Sequence, residues 1–204
     1  MAYSKTQIVT AALNTLRSEG ILSLTEDSIE ARYANNKIEM LIDFFLATTD
    51  WQCASRTVTL VQREDTSPFA DLEYVYDIPP DMIRPISVIK EGNPYNISDQ
   101  YYGRVHNSND QSYIIEGSLL YYAYDSCVIK YLKTIETGNM RKYMIYPLTL
   151  FVAAELAYGI ANSANYGDLL MKRFEKSLSE ARESNNLEMS NYYRIGRTTT
   201  GRTR

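Results

Sequence analysis

The apolar period of this chain changes twice. Up to Trp51 hydrophobic residues recur at helical spacing, from Thr57 to Thr134 they fall in short β-branched and aromatic runs, and from Pro147 the helical spacing returns. A helix repeats every 3.6 residues and a strand every two, so neither pattern serves the other element. The expected fold class is α+β: a bundle of about four helices with an inserted antiparallel β-sheet subdomain and an extended C-terminal arm. On this reading residues 1–56 are N-terminal helices of the bundle, 57–134 the β insert, 135–186 its C-terminal helices and 187–204 the arginine-bearing arm.

Ile8, Ala12 and Leu16, with Val9 and Leu13 beside them, predict an amphipathic helix over 5–19 that ends at Gly20. Thr25 or Ser28 caps a second helix whose inner stripe is Ile38, Leu41, Ile42 and Phe45, with Met40 and Phe44 on its flank. Pro147 fits the first turn of a third helix. From Leu148 to Ala161 that helix is apolar almost all round, so it is expected at the centre of the bundle. A fourth helix over 168–184 turns Leu170, Phe174, Leu178 and Ala181 inward. From Leu187 onward no period is visible.

Within the insert, Thr57–Val61, Glu73–Tyr76 and Ile86–Ile89 read as strands. Between the last two, Pro79, Pro80 and Pro85 fall within seven residues, which forbids a central strand and a helix interior there. Tyr113–Ile115 and Leu119–Tyr122 flank Glu116-Gly117-Ser118 as a tight hairpin, with Gly117 supplying a positive φ. Val128–Leu132 is expected to extend the same sheet. Tyr95 to Asp110 reads as a polar loop.

Charge is distributed unevenly. The net charge is −4, but Arg194, Arg197, Arg202 and Arg204 stand in an acid-free stretch, and without those four the rest of the chain carries −8. An acidic body opposes a broad phosphate-binding face. Cys53 and Cys127 are the only cysteines, too few for a disulfide framework, so a reducing compartment is expected. No apolar signal core opens the chain, and the most apolar run, Pro147 to Ala161, is too short for a bilayer and is broken by Glu155. Synthesis and assembly in the cytoplasm, without a membrane partner, follow as expectations.

Residues able to do chemistry are scarce. His106 is the single histidine, set in a Gly/Asn/Ser-rich stretch; no CxxC, GxGxxG or GxxxxGK[ST] occurs. No catalytic residue, cofactor site or metal site is therefore expected, and the chain reads as a non-enzyme. Glu155 is the one acid inside an apolar run. Its readings are a general acid or base of a hydrolase and a charge aimed at Lys, Arg or Tyr of another helix or subunit; the second is favoured. Glu155 joins Arg173, Lys176, Glu180 and Glu183 of the fourth helix as candidate subunit-interface residues.

Tyrosine is in excess, with twelve of 18 between Tyr74 and Tyr146. Tyrosines on a sheet can stack single-stranded bases, and with a basic tail they define the alternative function, a single-stranded nucleic-acid-binding protein. The block holds few basic residues, so protein contact is favoured. The tail, with Tyr192 and Tyr193 beside Arg194, Arg197, Arg202 and Arg204, reads as an arm that orders on docking into a partner.

Tyr-Val-Tyr-Asp-Ile-Pro-Pro-Asp-Met-Ile-Arg-Pro-Ile at 74–86 and Tyr-Ile-Ile-Glu-Gly-Ser-Leu-Leu-Tyr at 113–121, preceded by two helices closed by Trp51 and followed by strand and paired helices, carry a resemblance. The chain resembles the tail tubular protein A, or head-to-tail adaptor (gatekeeper ring), family of short-tailed bacteriophages over roughly residues 5–185. That resemblance implies a dodecameric ring in the virion neck, between the portal and the tail nozzle or fibre proteins. Double-stranded DNA would pass through it without specific binding. It also implies helices bearing a β insert, no catalytic residues and no cofactor, and a C-terminal segment that reaches the portal.

Overall fold

The computed structural model describes residues 3–90, 113–160 and 164–197, with 189–197 described by their backbone alone. The mixed α+β class is what the structure has: among the described residues there are four α-helices and two antiparallel three-stranded sheets. Two compact units form, one from Met1–Ala54 with Ile135–Arg204 and one from Ser55–Thr134.

The helical unit begins with α1, Lys5–Thr15, whose N-terminus is a full capping box: Ser4 Oγ accepts from the Gln7 amide and Gln7 Oε1 accepts from the Ser4 amide. It stops four residues earlier than the period implied. Arg17 adopts φ 60°, and Ser18 N–H donates to Leu13 O at 3.1 Å while Arg17 N–H donates to Asn14 O at 3.1 Å. That pairing is a Schellman stop with arginine where glycine normally sits. Gly20 serves packing instead. A Cβ there would lie 2.6 Å from Thr10 Cγ2, so the glycine permits close approach to α1. Because a side chain in the left-handed region costs about 1 kcal/mol, Arg17→Gly is expected to stabilise the unit by about that amount. Urea denaturation followed by far-UV circular dichroism measures it, and an unchanged or lowered midpoint rejects the argument.

The second helix, α2, spans Ile29–Ala47, capped by Ser28 Oγ accepting from Ala31 N–H at 3.1 Å. Its inner stripe is Ala34, Ile38, Leu41, Ile42 and Phe45. After a 3-10 turn at Gln52–Ala54 the chain leaves the unit and returns at Ile135. There α3 spans Lys142–Gly159 and is buried on all sides from Pro147 to Ala154, as expected of the central helix. Its start is earlier than Pro147, however, which lies inside the helix. Burial of Met144, which approaches Cys53 (Sγ to Sδ 3.4 Å), gives the added first turn a packing reason that outweighs the hydrogen bond the proline cannot make.

The fourth helix, α4, is the largest departure. It spans Ala164–Arg197, so the extended arm expected from 187 is helical backbone as far as Arg197. The inward stripe continues past Ala181 to Asn185, buried at 1% exposure, and a polar residue there hid the continuation from an apolar-period reading. Tyr192, Tyr193, Arg194 and Arg197 are therefore on helix, while Arg202 and Arg204 lie outside the described residues.

In the second unit, β1 (Ser55–Thr59), β6 (Val128–Lys133) and β3 (Met82–Ile89) form one sheet in the order β1-β6-β3. The other sheet is β2 (Tyr74–Asp77), β5 (Leu119–Tyr122) and β4 (Tyr113–Glu116), in the order β2-β5-β4. The expected hairpin is β4–β5, with Gly117 at φ 60°. The strand at Val128–Lys133 does not extend it. It pairs with β1 and β3 instead, because β2 occupies the place beside β5. Pro79-Pro80 carries the chain from one sheet to the other: Ile78 N–H donates to Ser118 O at 2.9 Å and Met82 N–H to Pro79 O at 3.1 Å. Pro85 lies within β3, which is tolerated because β3 is an edge strand with a register shift between Pro85 and Ser87.

Tyr76, Leu120 and Tyr122 of one sheet share a core with Val88, Ile129 and Tyr131 of the other, around Leu60 and Cys127. The opposite face of β2 and β5 is covered by Leu72 and by Phe69, whose ring meets Tyr121 edge-on at 5.0 Å. Sheet β2-β5-β4 is thus apolar on both faces, which explains the unbroken run Leu119–Tyr122.

Candidate assembly surface

The interface candidates separate into distinct settings. Glu155 leaves α3 with a side chain 28% exposed, and its carboxylate lies 3.9 Å from Lys37 Nζ of α2. Lys37 Nζ also sits 4.8 Å from the Tyr33 ring centroid. Tyr33 packs on Gly159, where an added Cβ would come within 2.0 Å of the tyrosine ring, so the glycine admits the aromatic. Glu155 is accordingly answered by a lysine of another helix in the same chain. One turn away, Phe44 stacks on Phe151 at 5.7 Å yet is 62% exposed, and Met40 is 61% exposed. Met40 and Phe44, at i and i+4, thus leave adjoining apolar surface on α2 uncovered. The sequence placed both on the flank of α2 without showing how much of them stays uncovered.

Arg173, Lys176, Glu180 and Glu183 are all exposed on α4. The described ion pairs of the helical unit are Lys5–Glu39, Arg32–Asp27, Lys37–Glu155 and Arg141–Glu188, and none of them uses these four.

On the opposite side, α4 grips the chain where it leaves α2. Arg182 donates from Nε to Thr49 Oγ1 and from Nη2 to Thr48 O, both at 2.8 Å, placing a cation on the carbonyl end of α2. Asn185 Oδ1 accepts from Gln52 N–H at 3.0 Å and from Tyr143 Oη at 3.3 Å, and its Nδ2 donates to Asp50 O at 3.1 Å. The single Tyr143 hydroxyl proton is shared between Asn185 Oδ1 and Glu188 Oε2, the latter nearer at 2.9 Å, and Glu188 pairs with Arg141 at 2.6 Å. Burial raises the Tyr143 phenol well above its ordinary range, and the Glu188 carboxylate adds to the effect. Burial likewise raises the nearby Cys53 thiol, partly offset by Arg141. This cluster is structural. No sequence motif marked it, although Asn185 continues the inward stripe Leu178, Ala181 at helical spacing.

Of the seven described tyrosines of the insert, four are interior. Tyr76, Tyr122 and Tyr131 are at most 1% exposed and Tyr121 is 8% exposed, so bases have no access to those rings. Tyr76 Oη donates to Tyr124 O at 2.7 Å and Tyr131 Oη to Asp81 Oδ1 at 2.9 Å. The Tyr122 hydroxyl is buried without a partner, and that burial pushes its pKa up to about 12. Cys127, in the same core, is pushed up to about 12 for the same reason.

His106 and the Tyr95–Asp110 stretch lie outside the described residues. Among the described residues no group of three His, Cys, Asp or Glu side chains is placed to hold a metal ion. None of the described helices is long and apolar enough to cross a membrane. No protein-family model matches the chain, and no curated protein matches it.

Proposed function

We propose that this chain is a structural subunit of a virion, forming a connector ring between the portal and the tail nozzle and giving a channel for genome passage. The observation that carries this reading is the pairing of a four-helix unit with a strand insert whose Pro-Pro-Asp corner and Glu-Gly-Ser hairpin are the segments that resemble head-to-tail adaptors. A net charge of −4, concentrated as −8 outside the last four arginines, supports a lining past which DNA slides rather than one that holds it. The uncovered Met40 and Phe44 add apolar surface suited to a neighbouring subunit. Burial of Tyr76, Tyr121, Tyr122 and Tyr131 removes support from the single-stranded nucleic-acid reading. Chemistry by the isolated chain has no constellation to carry it among the described residues.

The test is native mass spectrometry of the full chain with the portal protein from the same genome. Ring-sized assemblies on the portal are expected. A truncation removing 198–204, which keeps α4 whole and retains Glu188, is expected to weaken docking while the circular dichroism spectrum is unchanged. Absence of any portal complex across protein concentrations and salt would overturn the reading. So would sequence-independent DNA binding that persists at high salt.

A further inference from the structure

Along one flank of α4 the residues Leu169, Arg173, Lys176, Glu180, Glu183 and Leu187 follow one another at alternating spacings of four and three. That is the spacing of a straight seam on a helix. All six are exposed, Leu169 at 44% and Leu187 at 66%. The stripe runs about five turns, roughly 27 Å. Its order is leucine, two cations, two anions, leucine, so it is the charge complement of itself read backwards.

We propose that two copies of this chain pair antiparallel along this stripe, about a twofold axis midway between Lys176 and Glu180. In that register Leu169 meets Leu187, Arg173 meets Glu183 and Lys176 meets Glu180, each pair occurring twice. These are the layers an antiparallel helix seam forms, one position of the repeat facing the other. A parallel pairing sets arginine on arginine and glutamate on glutamate. Sliding the antiparallel pair by one heptad sets Arg173 against Lys176 in one direction and Glu180 against Glu183 in the other. Charge therefore selects one orientation and one register, by penalising the alternatives as well as by favouring the match.

Flanking groups agree with this register. Lys172 falls level with Ser184, which carries no charge. Asp168 and Glu188 are the one like-charged opposition, and each already has a partner: Tyr158 Oη donates to Asp168 at 2.8 Å, and Arg141 pairs with Glu188. Exposed ion pairs are individually weak and are screened by salt, so the contact is reversible and favoured at low ionic strength.

A twofold contact uses one patch twice, whereas a closed ring joins one patch to a different one. The seam thus pairs free subunits and is separate from the ring contacts. It stands on the stripe alone, so failure of portal docking leaves it intact, and its own failure leaves the ring reading intact.

Sedimentation equilibrium of the full chain tests it. Wild type is expected to dimerise at 50 mM salt and to dissociate at least ten-fold more readily at 500 mM. The Arg173→Glu/Lys176→Glu variant and the Glu180→Lys/Glu183→Lys variant are each expected to be monomeric alone and to form a heterodimer when mixed. The variant carrying all four reversals restores the self-complement and is expected to dimerise. The substitutions are at exposed helix positions, and circular dichroism checks that the fold is kept. A monomeric wild type at 50 mM salt overturns the proposal. So does dimerisation of either double variant alone, or failure of the folded pair to associate.

Discussion

Trp51→Ala is expected to lower the stability of the helical unit by about 4 kcal/mol, the scale for removing a fully buried large aromatic. Trp51 is 0% exposed, stacks on Phe45 at 5.4 Å and meets Tyr143 at 6.4 Å. Its indole N–H points at Phe45 O at 3.4 Å, a long contact that contributes little beside the packing. The alanine would leave a cavity bordered by Phe45, whose ring is also 6.4 Å from Phe174, so collapse is opposed from two helices. At about 2–4 °C per kcal/mol for a chain of this size the melting temperature should fall by about 10 °C. Far-UV circular dichroism is the appropriate signal, because Trp51 is the only tryptophan and its fluorescence disappears with it. A loss under about 1 kcal/mol would show that Trp51 is not a core residue.

Asn185→Leu is expected to destabilise by about 3 kcal/mol even though leucine keeps the branched side-chain skeleton and adds apolar surface. The reason is that leucine replaces neither the donor nor the acceptor of the Asn185 amide, and a hydrogen bond removed from one side only costs about 1–3 kcal/mol per group. Gln52 N–H and Asp50 C=O would each lose the Asn185 amide, whereas the Tyr143 hydroxyl keeps Glu188 Oε2. Asn185→Asp separates the terms, since a carboxylate still accepts from Gln52 and Tyr143 but cannot donate to Asp50, and it stands close to Glu188. Its loss should be about 2 kcal/mol. Hydrogen exchange of the Gln52 amide gives the local readout: protection should fall sharply in the leucine variant and much less in the aspartate variant. Equal protection in both would show that Asn185 does not hold the segment leaving α2.

These two positions differ in how visible they were. Trp51 announces itself as a large aromatic where the helical period ends. Asn185 is a polar residue at an inward position, and only the groups around it, all more than forty residues away in sequence, make it a core residue. The same contrast applies to the interface candidates. Exposure of Arg173, Lys176, Glu180 and Glu183 was legible from the helical period, whereas the Lys37 partner of Glu155 and the exposure of Met40 and Phe44 depended on how α2 lies on α3.

What the sequence determined by itself is local. The spacing of Ile8, Ala12 and Leu13, the Gly117 hairpin and the two changes of period specified helices, turns and the α+β class, because each rests on residues within a turn or two of one another. Only the tertiary structure decided that Val128–Lys133 pairs with β1 and β3 rather than with the hairpin, that α3 begins ahead of its proline and that α4 continues to Arg197. Strand neighbours and helix ends of that kind are chosen by burial against distant residues, and a linear pattern carries no record of which distant residues those are.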